Sequence, residues 1–369
     1  MKPMWDELLS SCPHRTPFLT HEWISTWWKH FAGRNELCIL VLREDSRPVL
    51  IAPLMKYIGR LHDRYVPLPA LVIGSIANYH SNRSDFIFGE FRIEYLQAVW
   101  KHLLNEERWH MLRLYPLFEK TPTLCALREF IESDRIDALF THSQTSPYMP
   151  LPASIDEFLK CVPKDVRRRV RKAAREKFEV SLDHVTGKAR LDAALKDVLE
   201  VSRNGWAARE GTAISSTTQL RGFYSDLARV SADKGWLSLA VLKMDGRPIA
   251  FEYNLAHDAT LYNLKMASDS AYAHRGPGHL VKYFLLSHVV EHMPHIREYD
   301  MLGDADPYKL VWSSETRRHV KAYVYHPRSI YSRVLYGIHS SLLRAPSLRK
   351  KLIWQPSYER PGEEMLKKA

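Results

Sequence analysis

The chain has 369 residues, of which 45% are hydrophobic and 26% are charged, and its formal net charge is +11. This length allows two domains, and the apolar content is sufficient for folded cores, which excludes an intrinsically disordered chain. The positive charge indicates an acidic partner: a nucleotide cofactor, an anionic polymer, tRNA or a membrane surface.

The four cysteines, Cys12, Cys38, Cys125 and Cys161, lie far apart and form no Cys-x-x-Cys pair. We therefore expect reduced thiols and neither a zinc site nor a disulfide framework. The N-terminus has no apolar signal core, and no stretch approaches the roughly 20 apolar residues of a membrane-spanning helix. The sequence predicts a cytoplasmic protein without a metal.

The first half is predicted to be a mixed α/β domain that spans residues 1–150. It begins with a helix over 18–31, for which Thr20 is a suitable N-cap. Trp23 and Trp27 share one face of that helix, which indicates core packing rather than base stacking. Further predicted elements are helices near 91–104 and 121–131 and a strand at 136–140. The proline-rich stretch 143–152 is predicted to be the crossing between domains.

Two stretches, 37–53 and 237–253, align without a gap at an offset of 200 residues. They share an Asp-x-Arg-Pro turn between two apolar runs, which indicates two related hairpins and an internal duplication. No Gly-x-Gly turn precedes the helix after the first hairpin. We therefore expect the first copy to lack a cofactor and the second copy to be the functional one.

Residues 164–177 are predicted to form one amphipathic helix with a strongly basic face. Its cationic residues are Lys164, Arg167, Arg168, Arg169, Arg171, Lys172, Arg175 and Lys177. This face is either an anion-binding surface or an ordinary solvated face, and the sequence leaves both open.

The second half is predicted to form a domain at 151–328. Its elements in chain order are helices at 192–206 and 217–234, the hairpin of 237–242 and 249–255, a strand at 261–266, a helix ending near 293, a strand at 296–302, a helix at 308–317 and a strand at 320–325. A basic helical tail, 329–369, follows. The simpler interpretation of this tail is a solvated surface. A contact with an anionic membrane is the alternative.

A glycine turn, His274-Arg-Gly-Pro-Gly-His-Leu280, joins the strand at 261–266 to the following helix. Glycine allows positive φ and close approach of a ligand to the backbone. The first amides of a helix have no intrahelical acceptor and lie at the positive end of its dipole. A pyrophosphate would therefore bind there, with Arg275 and His279 beside it.

This order of hairpin, strand, glycine turn, helix and strand resembles the core of the GNAT acyltransferase superfamily. The segment from Asp300 through Gly303 to Tyr308-Lys309-x-x-Trp312 is similar to a signature of the branch linked to cellulose and exopolysaccharide synthesis, which is related to the Fem-type peptidyltransferases. The resemblance extends from about Phe18 to Tyr325. It implies an α/β (α+β mixed) fold of two tandem GNAT-like domains, each a mixed, mostly antiparallel sheet flanked by helices.

The resemblance also implies the site. Acetyl-CoA, or another acyl-CoA, would be the co-substrate, bound by Arg275, Gly276, Pro277, Gly278, His279 and Leu280. The catalytic candidates are Glu252 as base, Asp304 (or Asp306) as an alternative base, and Tyr308 as the acid that protonates the thiolate. Glu252 is equally well explained as a structural strand carboxylate. Candidate acceptor contacts are Trp206, Arg209, Asp306 and Lys309.

These features favour an N-acyltransferase in which an amine attacks the thioester directly, without an acyl-enzyme. An amino sugar or a cell-envelope precursor is the acceptor class that the resemblance suggests. A Fem-type peptidyltransferase that uses aminoacyl-tRNA is the first alternative, because the basic helix suits tRNA, although the intact glycine turn favours CoA. A non-catalytic GNAT-like module in polysaccharide synthesis is the second.

Overall fold

The computed structural model of the chain describes residues 1–62, 66–175, 179–205, 208 and 211–345, which fall into two units. The first unit contains Met1–Thr145 and the chain from Arg317 on, and the second contains Ser146–Thr316. The predicted residues Trp206 and Arg209, and the part of the tail after 345, lie outside the described residues.

The elements alternate between helices and strands along most of the chain. From the N-terminus to residue 150 they are α1 Lys2–Ser10, a 3₁₀ turn Pro17–Leu19, α2 His21–Phe31, β1 Glu36–Glu44, β2 Arg47–His62, β3 Val66–Ser75, α3 Ile93–Asn105, β4 Met111–Phe118, α4 Pro122–Ser133 and β5 Ala138–Pro150. They continue with α5 Ile155–Cys161, α6 Lys164–Arg175, β6 Val180–Val185, a 3₁₀ turn Lys188–Arg190, α7 Leu191–Asn204, α8 Thr218–Asp233, β7 Leu237–Met244, β8 Arg247–His257 and β9 Thr260–Ser268. The last are a 3₁₀ turn Ser270–Arg275, α9 Pro277–His292, β10 Glu298–Asp300, α10 Pro307–Leu310, β11 Thr316–Tyr325 and α11 Ile330–Arg344.

Several helices begin at hydroxyl side chains that satisfy a free backbone amide. The Thr20 hydroxyl accepts from the Trp23 N–H at 3.1 Å, as its predicted N-cap role requires. Thr217 and Ser329 do the same at the starts of α8 and α11. Such caps stabilise a helix by about 1 kcal/mol each, so the starts of these helices are encoded locally.

Each unit contains a mixed sheet in which most neighbours are antiparallel. The first unit has the order β1-β2-β3-β4-β11, followed by Ala138–Thr145 of β5. The second begins with Ser146–Pro150 of β5 and continues β10-β9-β8-β7-β6. In each unit one pair is parallel, β3 with β4 and β9 with β10. Helices flank both sheets, and the predicted fold class is confirmed.

The two hairpins repeat at the level of single hydrogen-bonded pairs. Leu42 pairs with Leu50 in β1–β2, and Leu242 pairs with Ala250 in β7–β8, with a bulge directly after each pair. The turn residues of both hairpins have positive φ: 47° and 68° at Asp45 and Ser46, 49° and 76° at Asp245 and Gly246. A two-residue turn of this type matches the right-handed twist of the strands. The repeat at offset 200 is therefore one supersecondary unit used twice.

Three predicted segments differ from the structure. The proline-rich stretch 143–152, predicted to be the crossing between domains, contains the boundary of the two units between Thr145 and Ser146. Up to Pro150 it is strand rather than loop, and the Pro147 carbonyl accepts from the Met301 N–H at 2.9 Å. The last strand, β11, lies beside β4 in the first unit, although the sequence analysis assigns 317–328 to the second domain. The predicted helix at 308–317 is the single turn α10, since β11 already begins at Thr316.

The core of the second unit holds α9 against the sheet. The α9 side chains of Leu280, Val281, Leu285 and Val289 are fully buried, and they belong to the same apolar cluster as residues of β7 and β8. Burial of a side chain of this size contributes about 1.5–3 kcal/mol. This packing fixes the position of the glycine turn that begins α9.

Candidate functional site

The glycine turn begins α9 and has the backbone that its sequence predicts. Gly276 is the N-cap of α9, in the left-handed conformation with φ 66° and ψ 49°, and Pro277 occupies the first helical position. A side chain at Gly276 would be strained at this φ, whereas proline is well suited to its position. The sequence therefore specifies a sharp entry into the helix.

One backbone N–H of the turn has no hydrogen-bond acceptor among the described residues. The amides of His279 and Leu280 donate to the Gly276 carbonyl at 3.0 and 3.2 Å, and the Gly276 amide donates to Ala273. Among the described residues, no acceptor lies in reach of the Gly278 N–H. Gly278 is thus the open amide of the turn, at the positive end of the helix dipole. Leu280, one of the predicted cofactor residues, is a core side chain.

Arg169 of α6 lies directly against this turn. A Cβ built on Gly276 would stand 2.8 Å from Arg169 Nη1 and 3.0 Å from its Cδ. Val166, Val170 and Ala173 form the apolar stripe of α6 beside Arg169, and they pack in the apolar cluster that also contains α9. A guanidinium held there offers a planar, permanently charged set of donors to phosphate. The sequence analysis counted Arg169 in the charge run but did not place it at the turn.

The remaining cationic side chains of α6 continue from this point. An open, solvent-exposed cavity of about 670 Å³ lies along this face, and among the described residues its lining comes from α6 alone: Lys164, Arg167, Arg168, Arg171, Lys172 and Arg175. Asp165 is the acidic residue of this helix and pairs with Arg168 at 3.1 Å, but both side chains are more than 70% exposed, so the pair is weak. The face keeps most of its positive charge available to an anion.

The strands next to the turn separate where the site opens. β10 pairs with β9 through three residues only, Glu298–Asp300 against Thr260–Tyr262, while β9 continues to Ser268. Met266, near the far end of β9, contacts the glycine turn, since its Sδ would lie 3.5 Å from a Cβ on Gly278. The edge of β9 beyond Tyr262 therefore leads to the open amide.

The signature segment forms a tight loop after β10. Leu302 and Gly303 have φ values of 49° and 58°. Lys309 holds this loop from inside: its Nζ donates to the carbonyls of Leu302 and Asp304 at 2.9 Å each and pairs with Asp306 at 3.1 Å. Lys309 is buried, and burial lowers the pKa of its ammonium group. Lys309, predicted to contact the acceptor, thus binds groups of the loop itself. Asp304, in the same loop, is exposed.

Tyr308 lies in the same loop and keeps its proton. Burial raises the pKa of the Tyr308 phenol, and the negative charges of Asp306 and Glu252 raise it further. The phenol is therefore protonated at neutral pH and can donate a hydrogen bond.

Trp312 connects the signature segment to the glycine turn. Its Nε1 donates to His279 Nδ1 at 3.1 Å, and the two rings stack at a centroid distance of 6.2 Å. Burial lowers the pKa of His279, and Arg169 and Lys282 lower it further. A neutral imidazole that accepts at Nδ1 carries its hydrogen at Nε2, which gives the turn a second uncharged donor.

Glu252 lies at the centre of a buried polar cluster rather than in an open pocket. Its Oε1 is 2.8 Å from Lys282 Nζ, and its Oε2 accepts from the Tyr299 hydroxyl at 2.9 Å. Lys282 Nζ also donates to the Tyr299 oxygen and lies 4.3 Å above that ring. All three side chains are at most 1% exposed. The cluster would have to separate and admit the amine before the Glu252 carboxylate could take a proton from it.

Lys265 is a site residue that the sequence analysis did not single out. It lies on β9, with its Nζ 3.3 Å from the Thr212 carbonyl and 6.0 Å from the centre of the Tyr224 ring. Burial lowers the pKa of Lys265 to about 8, and the charge of Lys309 contributes to the shift. The signal in the sequence is a lysine inside an otherwise apolar strand, as Lys282 is a lysine inside an otherwise apolar helix face.

The structure thus brings most predicted site residues to one end of the second unit's sheet. Gly276, Gly278, His279 and Arg275 form the turn, and Asp304, Asp306, Tyr308 and Lys309 form the neighbouring loop. Glu252 lies beneath, in the sheet.

A His-x-x-x-His pair, His288 and His292, lies on α9 and was overlooked in the sequence. The rings stack at 4.4 Å, and His184 of β6 contacts His288 at 4.8 Å. Within residues 1–62, 66–175, 179–205, 208 and 211–345, no three His, Cys, Asp or Glu side chains are arranged to hold a metal ion. The four cysteines are free thiols.

Comparison with known proteins supports the fold and the domain. Residues 162–310 match the family described as "Acetyltransferase (GNAT) domain". No match to a curated protein was found. In the described part of the chain, no helix is both long and apolar enough to cross a membrane.

Solved structures of low sequence identity share the fold. FemX is 14% identical with a TM-score of 0.61, covering 92% of this chain and 98% of its own. The C-terminal domain of a putative lysylphosphatidylglycerol synthetase from Agrobacterium fabrum is 10% identical with a TM-score of 0.53, covering 92% and 97%. A conserved protein from Bacteroides thetaiotaomicron is 10% identical with a TM-score of 0.56, covering 88% and 97%. Residues 162–310 thus form a GNAT acetyltransferase domain, which makes the chain an acyltransferase, and the chain as a whole is related in fold to FemX.

Proposed function

We propose that the second unit transfers an acyl group, acetyl in the first instance, from coenzyme A to an amine in the cytoplasm. The observation that carries this proposal is the Gly278 amide at the start of α9, with the Arg169 guanidinium beside it. An open amide, a helix dipole and an arginine fork are the groups that bind a pyrophosphate. The domain match at 162–310 supports the same donor.

The pantetheine arm of coenzyme A would run from the glycine turn to the reacting thioester along the edge of β9 that does not pair with β10. A pantetheine arm bound beyond Tyr262 would bring the thioester to the gap between β9 and the signature loop. Tyr308, in the signature loop, would hydrogen-bond to the departing thiolate and protonate it. Its phenol is protonated at neutral pH, although the raised pKa makes it a weaker acid than a free tyrosine. The acceptor would be an amino sugar or a precursor of a polysaccharide or the cell envelope.

Calorimetric titration with acetyl-CoA tests the donor. In Gly278→Glu the new Cβ meets only Met266 at an ordinary 3.5 Å, so the variant should fold, while its carboxylate repels the pyrophosphate. In Arg169→Met one charged hydrogen-bonding group is lost, worth about 1.5–3 kcal/mol. We expect micromolar binding by the wild type and a loss of tenfold or more in each variant.

Two matched variants separate loss of the site from loss of the fold. Gly278→Ala keeps the open amide and adds no charge, so it should bind within a few-fold of the wild type. Arg297→Met removes an exposed arginine from the start of β10, at the opposite end of that strand pair from the turn, and should bind normally. A folded wild type that does not bind acetyl-CoA would overturn the proposal.

The basic face of α6 favours a second candidate, an aminoacyl-tRNA-dependent transferase. Its row of cations along the cavity suits a nucleic acid backbone, whose binding depends strongly on salt. Salt-dependent binding of aminoacyl-tRNA, together with no affinity for acetyl-CoA, would replace the first proposal by this one.

A further inference from the structure

We infer that Lys265 is the general base of the transfer, the group whose Nζ takes the proton from the attacking amine. This inference rests on the proposed function of the second unit. It assigns to Lys265 the role that the sequence analysis gave to Glu252, Asp304 or Asp306.

Lys265 lies on the face of the sheet opposite to the glycine turn. Successive side chains of a strand point to opposite faces. Met266 points to the face of α9, where it contacts the glycine turn, so Lys265 points to the other face. There it lies above Tyr224 of α8 and beside the Thr212 carbonyl. The glycine turn and Lys265 are thus close in the chain but lie on opposite sides of the sheet.

The gap between β9 and β10 connects these two sides. Pairing with β10 ends at Tyr262, three residues before Lys265. A thioester placed in this gap from the donor side presents its carbonyl carbon to the opposite side, where an amine can reach it. An amine that attacks from there approaches through the surroundings of Lys265.

The charges around Lys265 suit a base. Burial and the neighbouring Lys309 disfavour its protonated form, and they lower its pKa to about 8. The groups that face it are Lys309 of α10, the Tyr224 ring, the Thr212 carbonyl and Tyr253, its partner on β8. A base works best when its pKa is near the working pH, and lysines are tuned for this purpose by burial and by a second cation.

Glu252 offers a poorer geometry for the same task. Its two oxygens are engaged by Lys282 and Tyr299, and its side chain is 0% exposed. The Lys265 residue is partly exposed although its amine is buried, so it lies nearer to solvent than Glu252.

The proton and electron balance of the step closes without a further reactant. The amine nitrogen forms a bond to the carbonyl carbon and gives one proton to the neutral Nζ of Lys265. The C–S bond breaks, and the thiolate takes a proton from the Tyr308 hydroxyl. Transfer of one proton from the Lys265 ammonium to the Tyr308 phenolate, through solvent, restores both groups.

Two substitutions of Lys265 distinguish a base from a structural cation. Arginine keeps the charge and the donor but does not release its proton in the accessible range. We expect Lys265→Met and Lys265→Arg to bind acetyl-CoA within about threefold of the wild type. Release of the CoA thiol with glucosamine as amine should fall about a hundredfold or more in both. The rise of the wild-type rate near pH 8 should disappear. Lys196→Met, on the exposed side of α7, is the control.

NMR titration of lysine side chains gives a readout that needs no turnover. The Cε signals of a lysine-labelled protein, assigned with Lys265→Met, should show Lys265 titrating near pH 8. Titration of Lys265 with the surface lysines, or full activity of Lys265→Arg, would overturn the inference. Absence of acetyl-CoA binding by the wild type would instead overturn the proposed function.

Discussion

Three buried polar side chains, Glu252, Lys282 and Tyr299, join β8, α9 and β10 in the second unit. A buried ion pair adds little net stability, because desolvation offsets the attraction, but removal of one partner leaves a buried charge uncompensated. In this cluster Lys282 lies at 2.8 Å from Glu252, and burial lowers the pKa of its ammonium group while Glu252 raises it. The pair therefore has to be kept or removed as a unit.

We predict that Lys282→Met lowers the free energy of unfolding by about 3–5 kcal/mol, because the Glu252 carboxylate then remains buried and charged. The double variant Glu252→Gln, Lys282→Met should recover most of this loss, since Gln can still accept from Tyr299 and the side chains keep their volume. Urea unfolding of the four members of this cycle measures the coupling. Additive losses in the double variant would show that the pair is not a unit.

The same four proteins also test the prediction that Glu252 is the catalytic base. If the carboxylate is a counter-ion, turnover of the double variant follows its recovered stability. If Glu252 takes the proton, turnover stays low although the fold is restored.

Helix α6 combines a role in the fold with a role at the site. Its apolar stripe packs in the core of the second unit, and Arg169 lies at the glycine turn. The exposed cations, among them Arg168, Arg171 and Arg175, line the adjoining cavity. Exposed charges of this kind contribute about 0.2–1 kcal/mol each and are screened by salt.

We predict that Arg168→Gln, Arg171→Gln, Arg175→Gln weakens acetyl-CoA binding about tenfold at low salt, the sum of three contributions of this size. The affinity of this variant should also depend less on salt than that of the wild type. Calorimetry at several salt concentrations measures both. The matched variant with lysine at the three positions retains the charge and should retain the slope. Equal slopes for all three proteins would mean that the face does not contact the donor.

The fold could be predicted from the sequence where local rules decide the outcome. Alternation of apolar residues, the Asp245-Gly246 turn and the Thr20 cap are local features, and each element they predict is present. The strand at 143–150 was missed because its prolines suggested a loop. Residues distant in the chain determine its surroundings: Pro150 pairs with Glu298 of β10, and the Pro147 carbonyl accepts from the Met301 N–H. Partners distant in the chain, such as β11 with β4, leave no local signal.

The same distinction applies to the site. The glycine turn and the signature loop are contiguous, so the sequence predicts them as units. Arg169, Lys265 and Lys282 reach the site from three different elements. Their importance depends on packing and on charges nearby in space, which no spacing in the chain reveals.

Each unit contains a histidine whose pKa is lowered by burial, and protonation of these two side chains contributes to the response of the molecule to acid. Burial lowers the pKa of His184 to about 4 and that of His319 to about 2. An unfolded chain binds these protons near the usual pKa of about 6.5, so acid favours the unfolded state. His184 faces His288 on α9, which stacks on His292, and it also lies near Arg190 and Asp183.

For His184, the folded pKa lies below the unfolded one. Its contribution to stability is therefore complete above pH 6.5 and is lost as the pH falls from 6.5 towards 4. We predict that the thermal unfolding temperature of the wild type decreases over this window. In His184→Gln, where an amide can keep the hydrogen bond that His184 Nε2 makes with Ser238 at 2.9 Å, the decrease should be smaller.

Calorimetric scans between pH 7.5 and 4.5 measure this effect in the full chain. His102→Gln, which removes an exposed helix histidine of the first unit, serves as the control and should follow the wild type. An identical pH dependence in His184→Gln and the wild type would contradict the prediction. It would assign the acid sensitivity to His319, whose pKa is the lower of the two and whose protonation costs the fold more.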